Sequence, residues 1–293
     1  MAERRISRRV VGATAVTAAA GGIIMLLPDG AVFSDAVAGP LAQATSVSPQ
    51  PTSTSPQPVP PSKPLRFYPV DGLFSTYYSQ VDGARTLGQA ISPRISVNGV
   101  DAQYFEKARL EDSRSRNTTG NAAYNFEFGL LVDEMKAINS QRAIGGERSS
   151  ITYATINQQS SESLRIPPPG GFRPGDAQVL GDGGAFIPFT SDLSAAPGHN
   201  VPNYFWDFMN RTDLFPAGWL HDTGLPITPV LDAIVDKGRI IGADIIRVNG
   251  VPIKVQAFQR TILTHDPANP AGFLTERANT GTDYFSVFPD RFP

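Results

Sequence analysis

One set of three blocks occurs twice in this chain, in the same order. Leu87-Gly88-Gln89-Ala90-Ile91-Ser92-Pro93, Asn98-Gly99-Val100 and Ala102-Gln103-Tyr104-Phe105-Glu106-Lys107-Ala108-Arg109-Leu110-Glu111 return as Thr223-Gly224-Leu225-Pro226-Ile227-Thr228-Pro229, Asn249-Gly250-Val251 and Val255-Gln256-Ala257-Phe258-Gln259-Arg260-Thr261-Ile262-Leu263-Thr264. A two-fold repeat of this kind implies that each unit supplies half of a shared core. Gly88 to Asn98 is ten positions and Gly224 to Asn249 is twenty-five, so about fifteen residues are inserted in the second copy.

The repeated stretches carry both periodicities. Leu73, Phe74, Tyr77, Tyr78 and Val81 share one helical face, closed by Asp82-Gly83, and Val201, Tyr204, Phe205, Phe208 and Met209 repeat the pattern with Pro202 in the first turn. Ile95-Ser96-Val97, Asn98-Gly99 and Val100 onward read as strand, type I′ turn and strand, because Asn-Gly accepts the positive φ such a hairpin needs. In the second copy Arg239 to Val248 should lead as a strand into Asn249-Gly250, and Val251 to Leu263 should return, with Pro252 at a sheet edge. Phe105 and Leu110 have opposite parity, so the first returning strand needs a bulge or two apolar faces. Gly129 to Met135 reads as a strand end or short helix, and Ile151 to Ile156, rich in β-formers, as a strand. Tyr284, Phe285 and Phe288 are late apolar anchors. The expected fold is α+β: two related units, each a short aromatic helix with an antiparallel hairpin sheet, in one pseudo-symmetric domain. Repeat unit 1 covers 65–140, a Pro- and Gly-rich connector 141–197, and repeat unit 2 covers 198–293.

Upstream, Met1 to Arg9 is basic and Val10 to Leu27 carries no charge, the layout of an export signal. Ser7-Arg8-Arg9-Val10-Val11 is similar to a twin-arginine signal, and Ala42-Gln43-Ala44 or Ala36-Val37-Ala38 offers a small-x-small cleavage site. Residues 1–44 are therefore an export signal, or, if uncut, an anchor whose residues 10–27 just suffice to span a bilayer. Thr45 to Pro64 holds seven Pro and eight Ser or Thr with Lys63 as its only charge, a composition that cannot offset the entropy of ordering. It reads as a disordered linker. The destination is the cell surface or the extracellular space, with the membrane touched only through an uncleaved N-terminal segment.

A net charge of -2 disfavours nucleic acid as a partner. With no cysteine, disulfides, zinc-thiolate sites and a thiol nucleophile are excluded. Gly181-Asp182-Gly183-Gly184 lacks the P-loop lysine and the spaced acids of an EF-hand, so neither a cofactor nor a metal is expected. All three histidines, His199, His221 and His265, fall in the second unit, with Asp222 and Asp266 following two of them. They offer a catalytic set of His199, His221, Asp222 and His265, although their spacing matches no metal or hydrolase motif. The polar residues Gln103, Glu106, Lys107, Arg109 and Glu111 form either a ligand-facing ladder or a solvated face of weak ion pairs. Tyr77, Tyr78, Trp206 and Trp219, with Gln103 and Gln256, are the candidate ligand-binding residues.

These blocks resemble a repeat of exported proteins from environmental bacteria whose unit reads roughly F-P-E-T-G-H-N-V, an aromatic helix, F-G-Y-P-I-S/T, V-Q-Y-F-E-R-A-R-L-E and H-P-E-N. Phe67 to Gly72 and Gly198-His199-Asn200-Val201 match the opening, Leu87 to Ser92 and Gly224 to Thr228 the middle, and Gln103 to Glu111, Gln256 to Leu263 and His265 to Asn269 the close. Leu73, Gln89-Ala90 and Gln259-Arg260-Thr261 depart from it. The middle phrase is also distantly similar to LGFP-type envelope repeats, without the Leu-Gly-Phe-Pro core itself. The resemblance implies a secreted or surface module that is a non-catalytic companion to other domains. The expected function is thus a non-catalytic module binding cell-envelope polymer or polysaccharide; the alternative is a secreted hydrolase with its site in the second repeat.

Overall fold

The computed structural model describes residues 63–146, 149–241 and 244–293. The leader, the cleavage sites and all but the last two residues of the Thr45–Pro64 linker lie outside the described residues. These form a mixed α+β fold with three antiparallel sheets and seven α-helices. No described helix is long and apolar enough to cross a membrane.

Helix α1 (Gly72–Gln80) starts where Asp71 caps it, its carboxylate accepting from Leu73 N at 2.9 Å. It buries Phe74 and Tyr77, together with Val81 just beyond its end. Asp82, at φ 47°, breaks it, and α2 (Gly83–Thr86) follows under the Tyr78 ring, which lies 2.4 Å from where a Cβ on Gly83 would be. Strands β1 (Ile95–Val97) and β2 (Val100–Tyr104) then pair across Asn98 (φ 51°) and Gly99 (φ 81°), the expected type I′ hairpin. The returning stretch is not one strand, as its sequence suggested. A tight turn closed by Phe105 N donating to Ala108 O (2.8 Å) separates β2 from β3 (Arg109–Asp112), which resolves the opposite parity of Phe105 and Leu110. β4 (Phe126–Phe128) completes a sheet of order β1-β2-β3-β4, and α3 (Leu131–Ala137) follows.

Ile151 to Ile156 corrects a second expectation. Despite its β-formers it opens helix α4 (Tyr153–Gln159), because Thr152 and Thr155 form a reciprocal capping box and Tyr153, Ala154 and Ile156 find the core on one helical face. The segment foreseen as a connector also contributes strands: β5 (Gln178–Val179) and β6 (Ala185–Pro188) pair with β7 (Gly198–Val201) in a three-stranded sheet. Helices α5 (Asn203–Met209) and α6 (Trp219–Thr223) lead into the third sheet. Its strands β8 (Leu231–Ile241), β9 (Asp244–Ala257), β10 (Ile262–His265) and β11 (Thr275–Arg277) run in the order β11-β10-β9-β8, and α7 (Thr280–Val287) closes the fold.

Asn249-Gly250 is not the turn of the second hairpin. The chain reverses between Ile241 and Asp244, and Asn249-Gly250 lies inside β9. There Val235 pairs with Val251 and Lys237 with Val248, so Asp236 opposes both residues of a bulge. Gly250 supplies the positive φ of 69°, and its N–H donates to Asp236 Oδ1 at 2.9 Å. Pro252, opposite Ile234, sits beyond the reach of β10, which pairs only with residues 254 to 257, so its missing N–H leaves no rung unmade.

Three apolar clusters fill the interior. One lies under α1 and contains Phe74, Tyr77, Leu87, Phe105, Leu110 and Phe128; a second lies under α5 and contains Val201, Phe205, Met209, Phe258 and Leu263. The largest mixes both halves of the chain, Tyr104 and Leu131 with Val255, Tyr284 and Phe292, and the Tyr104 and Tyr284 rings stack with centroids 5.5 Å apart.

Candidate functional site

The site is built around α6. Leu214 and Phe215 are buried anchors, and the chain turns after them through Gly218, whose φ of 89° starts the helix at Trp219. Asp222, wholly buried, ties this turn down: Oδ2 accepts from Ala217 N (3.3 Å) and Oδ1 lies 2.8 Å from His221 Nδ1. The Asp222 carbonyl in turn accepts from Arg277 Nη2 at 2.8 Å. Arg277 sits over the Phe128 ring at 4.1 Å and the Phe215 ring at 5.3 Å, and burial lowers its guanidinium to about 10 against the pull of Asp222. His221 is thus held from behind by Asp222 of α6, which is tied in turn to Arg277 of β11 and to the turn that precedes α6. A carboxylate only accepts, so Nδ1 is the donor in this pair, and Nε2 is not engaged by it.

In front of this support is an open cavity of about 440 Å³, lined by Trp219, Leu220 and His221 of α6, Tyr124 from the 3-10 turn (Ala122–Asn125) before β4, and Leu193 and Asp176 from the middle of the chain. Trp206 meets Trp219 edge-on at 5.6 Å and Tyr124 meets His221 edge-on at 4.7 Å, so two half-buried aromatic pairs fix the walls. Asp176 is exposed and offers a carboxylate at the rim. Among the described residues that line it, Tyr124 alone carries a hydroxyl. The arrangement presents apolar faces flanked by hydrogen-bonding groups, which suits a ligand with one apolar face and a polar edge.

Of the residues foreseen from sequence, Trp206, Trp219, His221 and Asp222 come together here. The other two histidines do not join them. His199, on β7, is 2% exposed with Nε2 unpartnered, and burial, with Arg165 nearby, lowers its imidazole to about 4. It belongs to a different, largely apolar cavity of about 300 Å³. His265, at the end of β10, stacks on Tyr204 at 4.2 Å and bonds Thr275 Oγ1 through Nδ1 at 2.9 Å; burial lowers it. Among the described residues no group of three His, Asp or Glu is placed to hold a metal ion.

Tyr77 and Tyr78 are not platforms. Tyr77 is buried against Phe126 and Phe128, while Tyr78 stacks on Phe105 and donates to Gly88 O. Gln103 and Gln256 are wholly buried and act on the backbone. Gln103 Nε2 donates to Pro69 O and Ser92 O, and Gln256 Nε2 to Asn200 O and Thr228 O. Gln103 Oε1 accepts from Asp71 N, two residues after Pro69; two residues after Asn200 stands Pro202, which has no N–H, and Gln256 Oε1 has no partner. The polar residues between Gln103 and Glu111 also divide. Glu106 and Lys107 lie in the turn, whereas Arg109 is 4% exposed and paired with Glu111 and Glu134, so it is not part of a solvated face.

Tyr124 escaped the sequence reading because it sits in a polar turn-rich segment with no periodicity, Asn117 to Asn125, and only the fold carries it across to α6. No protein-family model matches the chain, and no similar protein was found among curated proteins or among solved structures.

Proposed function

We propose that this is an exported, non-catalytic module that binds cell-envelope polymer or polysaccharide in the Trp219–His221–Tyr124 cavity. The observation that carries the reading is the wall itself: the Trp219 ring, backed by Trp206, and the Tyr124 ring packed on the fixed His221 imidazole, with a rim carboxylate, in an open cavity of about 440 Å³. A pyranose ring has an apolar C–H face and a rim of hydroxyls, and such a wall matches both. The basic, then uncharged, leader supports export.

We also propose that the fold is two related units in one pseudo-symmetric domain. Corresponding hydrogen bonds support it: Ile91 N to Tyr104 O and Ile227 N to Ala257 O, Lys107 N to Leu87 O and Arg260 N to Thr223 O, Gln89 N to Glu106 and Leu225 N to Gln259. In this alignment Val97 and Val100 correspond to Ala233 and Ile253, and the ribbon from Ile234 to Pro252 replaces the Asn98-Gly99 turn.

The test is co-sedimentation of the purified protein with insoluble polysaccharides and envelope material, with and without chelator. Retention that ignores chelator and is lost in Trp219→Ala supports the reading; retention unchanged by Trp219→Ala, or none on any material, sinks it. The 2.8 Å pairing of His221 with Asp222 favours one second reading, hydrolysis with His221 as general base. Release of soluble sugar that disappears in His221→Ala would establish it.

A further inference from the structure

We propose that a second cleft, on the sheet of the first half, recognises acidic groups spaced along a hydroxyl-rich polymer. Two cavities, of about 510 and 210 Å³, share Asn98, Arg109 and Glu134 in their walls and so form one cleft. It runs past the β1–β2 turn and the start of α3. The proposal rests on the polysaccharide reading for the nature of the polymer, but not on the aromatic cavity.

The centre of the cleft is committed. Arg109 donates through Nε to Glu111 (2.7 Å), through Nη1 to Tyr104 OH (3.1 Å) and through Nη2 to Glu134 (2.9 Å). Burial alone would lower this guanidinium, but Tyr104, Glu134 and Glu111 outweigh it and hold it above its ordinary value. Its charge is already matched, and it serves to fix two carboxylates.

The two ends are different. Arg291 lines one cavity and Arg116 the other, with side chains 55% and 52% exposed. Among the described residues the side-chain hydrogen bonds of Arg291 use Nη1 alone, to Tyr284 OH, and those of Arg116 use Nη2 alone, to Ser113 Oγ and Glu127. A guanidinium has five N–H donors, so most of each fork is open. Neither is a loose surface charge. Arg291 sits over the Phe288 ring, 4.2 Å from its centroid, and 3.6 Å from Glu134, and Arg116 is held between Glu127 (3.4 Å) and Glu111 (3.8 Å). Two pre-positioned forks flank a stretch in which Glu134 and Asn98 offer acceptors and an amide to hydroxyl groups.

This pattern selects against a dense polyanion. Between the forks Glu111 and Glu134 share Arg109, and Glu127 pairs with Arg260 as well as Arg116, so three carboxylates face two further guanidinium groups and no excess positive charge is left there for a continuous run of phosphates. A polymer whose carboxylates or phosphodiesters are separated by neutral hydroxylated units places its negative charges on the arginines and its hydroxyls on the acids. Both anion types fit a guanidinium fork.

The experiment is titration calorimetry on the full chain with three soluble probes: oligomers of polygalacturonate, the same oligomers fully methyl-esterified, and a glycerol-phosphate oligomer. The double variant Arg116→Gln with Arg291→Gln removes exposed side chains, and circular dichroism checks its fold. The acidic probe should bind more tightly than its ester, weaken with added salt, and lose about tenfold in affinity in the double variant. The ester should be indifferent to that variant. A preference for the glycerol-phosphate probe, with the same loss, would make phosphodiester the natural anion. Equal affinity for acid and ester, or an unchanged double variant, overturns the proposal. Trp219→Ala separates the two sites: failure of the aromatic cavity removes its effect on the neutral probe and leaves the arginine effect standing.

Discussion

Replacing His199 by phenylalanine should expose a pH dependence of stability that the native protein conceals. Asp283, on α7, is wholly buried and accepts from Gly145 N (2.7 Å), Tyr153 OH (3.0 Å) and Arg142 Nε (3.2 Å). Burial nonetheless raises it from 3.8 to about 6, with those three donors working against the shift. The folded state therefore keeps this proton to a higher pH than the unfolded chain does. The associated stabilisation is complete below 3.8 and is lost as pH rises through about 6. His199 acts in the opposite sense. Burial lowers it from 6.5 to about 4, so its contribution is complete above 6.5 and is lost as pH falls through about 4. At 1.36 kcal/mol per unit, each term amounts to about 3 kcal/mol across almost the same window, and the two nearly cancel. Urea denaturation of the wild type, His199→Phe and Asp283→Asn at several pH values from 4 to 6.5 reads the balance. Relative to wild type, stability of His199→Phe should fall by about 3 kcal/mol as pH rises, and that of Asp283→Asn should climb by a similar amount. Other carboxylates titrate alike in all three proteins and drop out of the differences. Difference curves that are flat, or that slope the same way, would refute the reasoning.

Gln103→Ala should destabilise more than Gln256→Ala, by about 1 kcal/mol in urea melts, because the first loses an extra bond from Asp71 N that Pro202 denies to the second. Gly281→Ala should cost more than about 3 kcal/mol, read as a large drop in Tm, since its Cβ would fall 1.9 Å from the Phe105 carbonyl oxygen and backbone must move. Asp236→Ala should cost about 1 kcal/mol, and amide exchange at Gly250 should quicken, because the bulge N–H loses its acceptor.

The aromatic helices were legible because their signal is local. Phe74, Tyr77 and Val81 lie three and four residues apart, and the tertiary fold uses the face that this spacing makes. Ile151 to Ile156 misled because propensity is weak beside a capping box and a waiting core. The two Asn-Gly pairs show the limit of turn chemistry. Asn98-Gly99 has three-residue and five-residue strands on either side and nothing else to pair with, so it turns. Asn249-Gly250 has a partner strand continuing past it from Lys237 to Ile241, and the same tolerance of positive φ becomes a bulge.

The site was half legible for a related reason. Trp219, His221 and Asp222 are neighbours in sequence, so any fold that makes α6 a helix keeps them together. What gives them a wall and a support is remote: Tyr124 lies almost a hundred residues earlier and Arg277 more than fifty later. Residues of the repeated blocks proved to be the frame. Gln103 and Gln256 recur because each bridges two carbonyl groups that no strand partner satisfies, and leaving a buried carbonyl unpaired costs about 1–3 kcal/mol. The aromatic cavity instead draws on residues that the two halves do not share. In the proposed two-unit alignment Tyr124, before β4, faces the turn after His265, before β11, and α6, with Trp219 and His221, stands where the first unit has α2, which carries no aromatic residue. If the two units are copies, as proposed, what they share holds the fold, and what differs between them lines the proposed binding cavity.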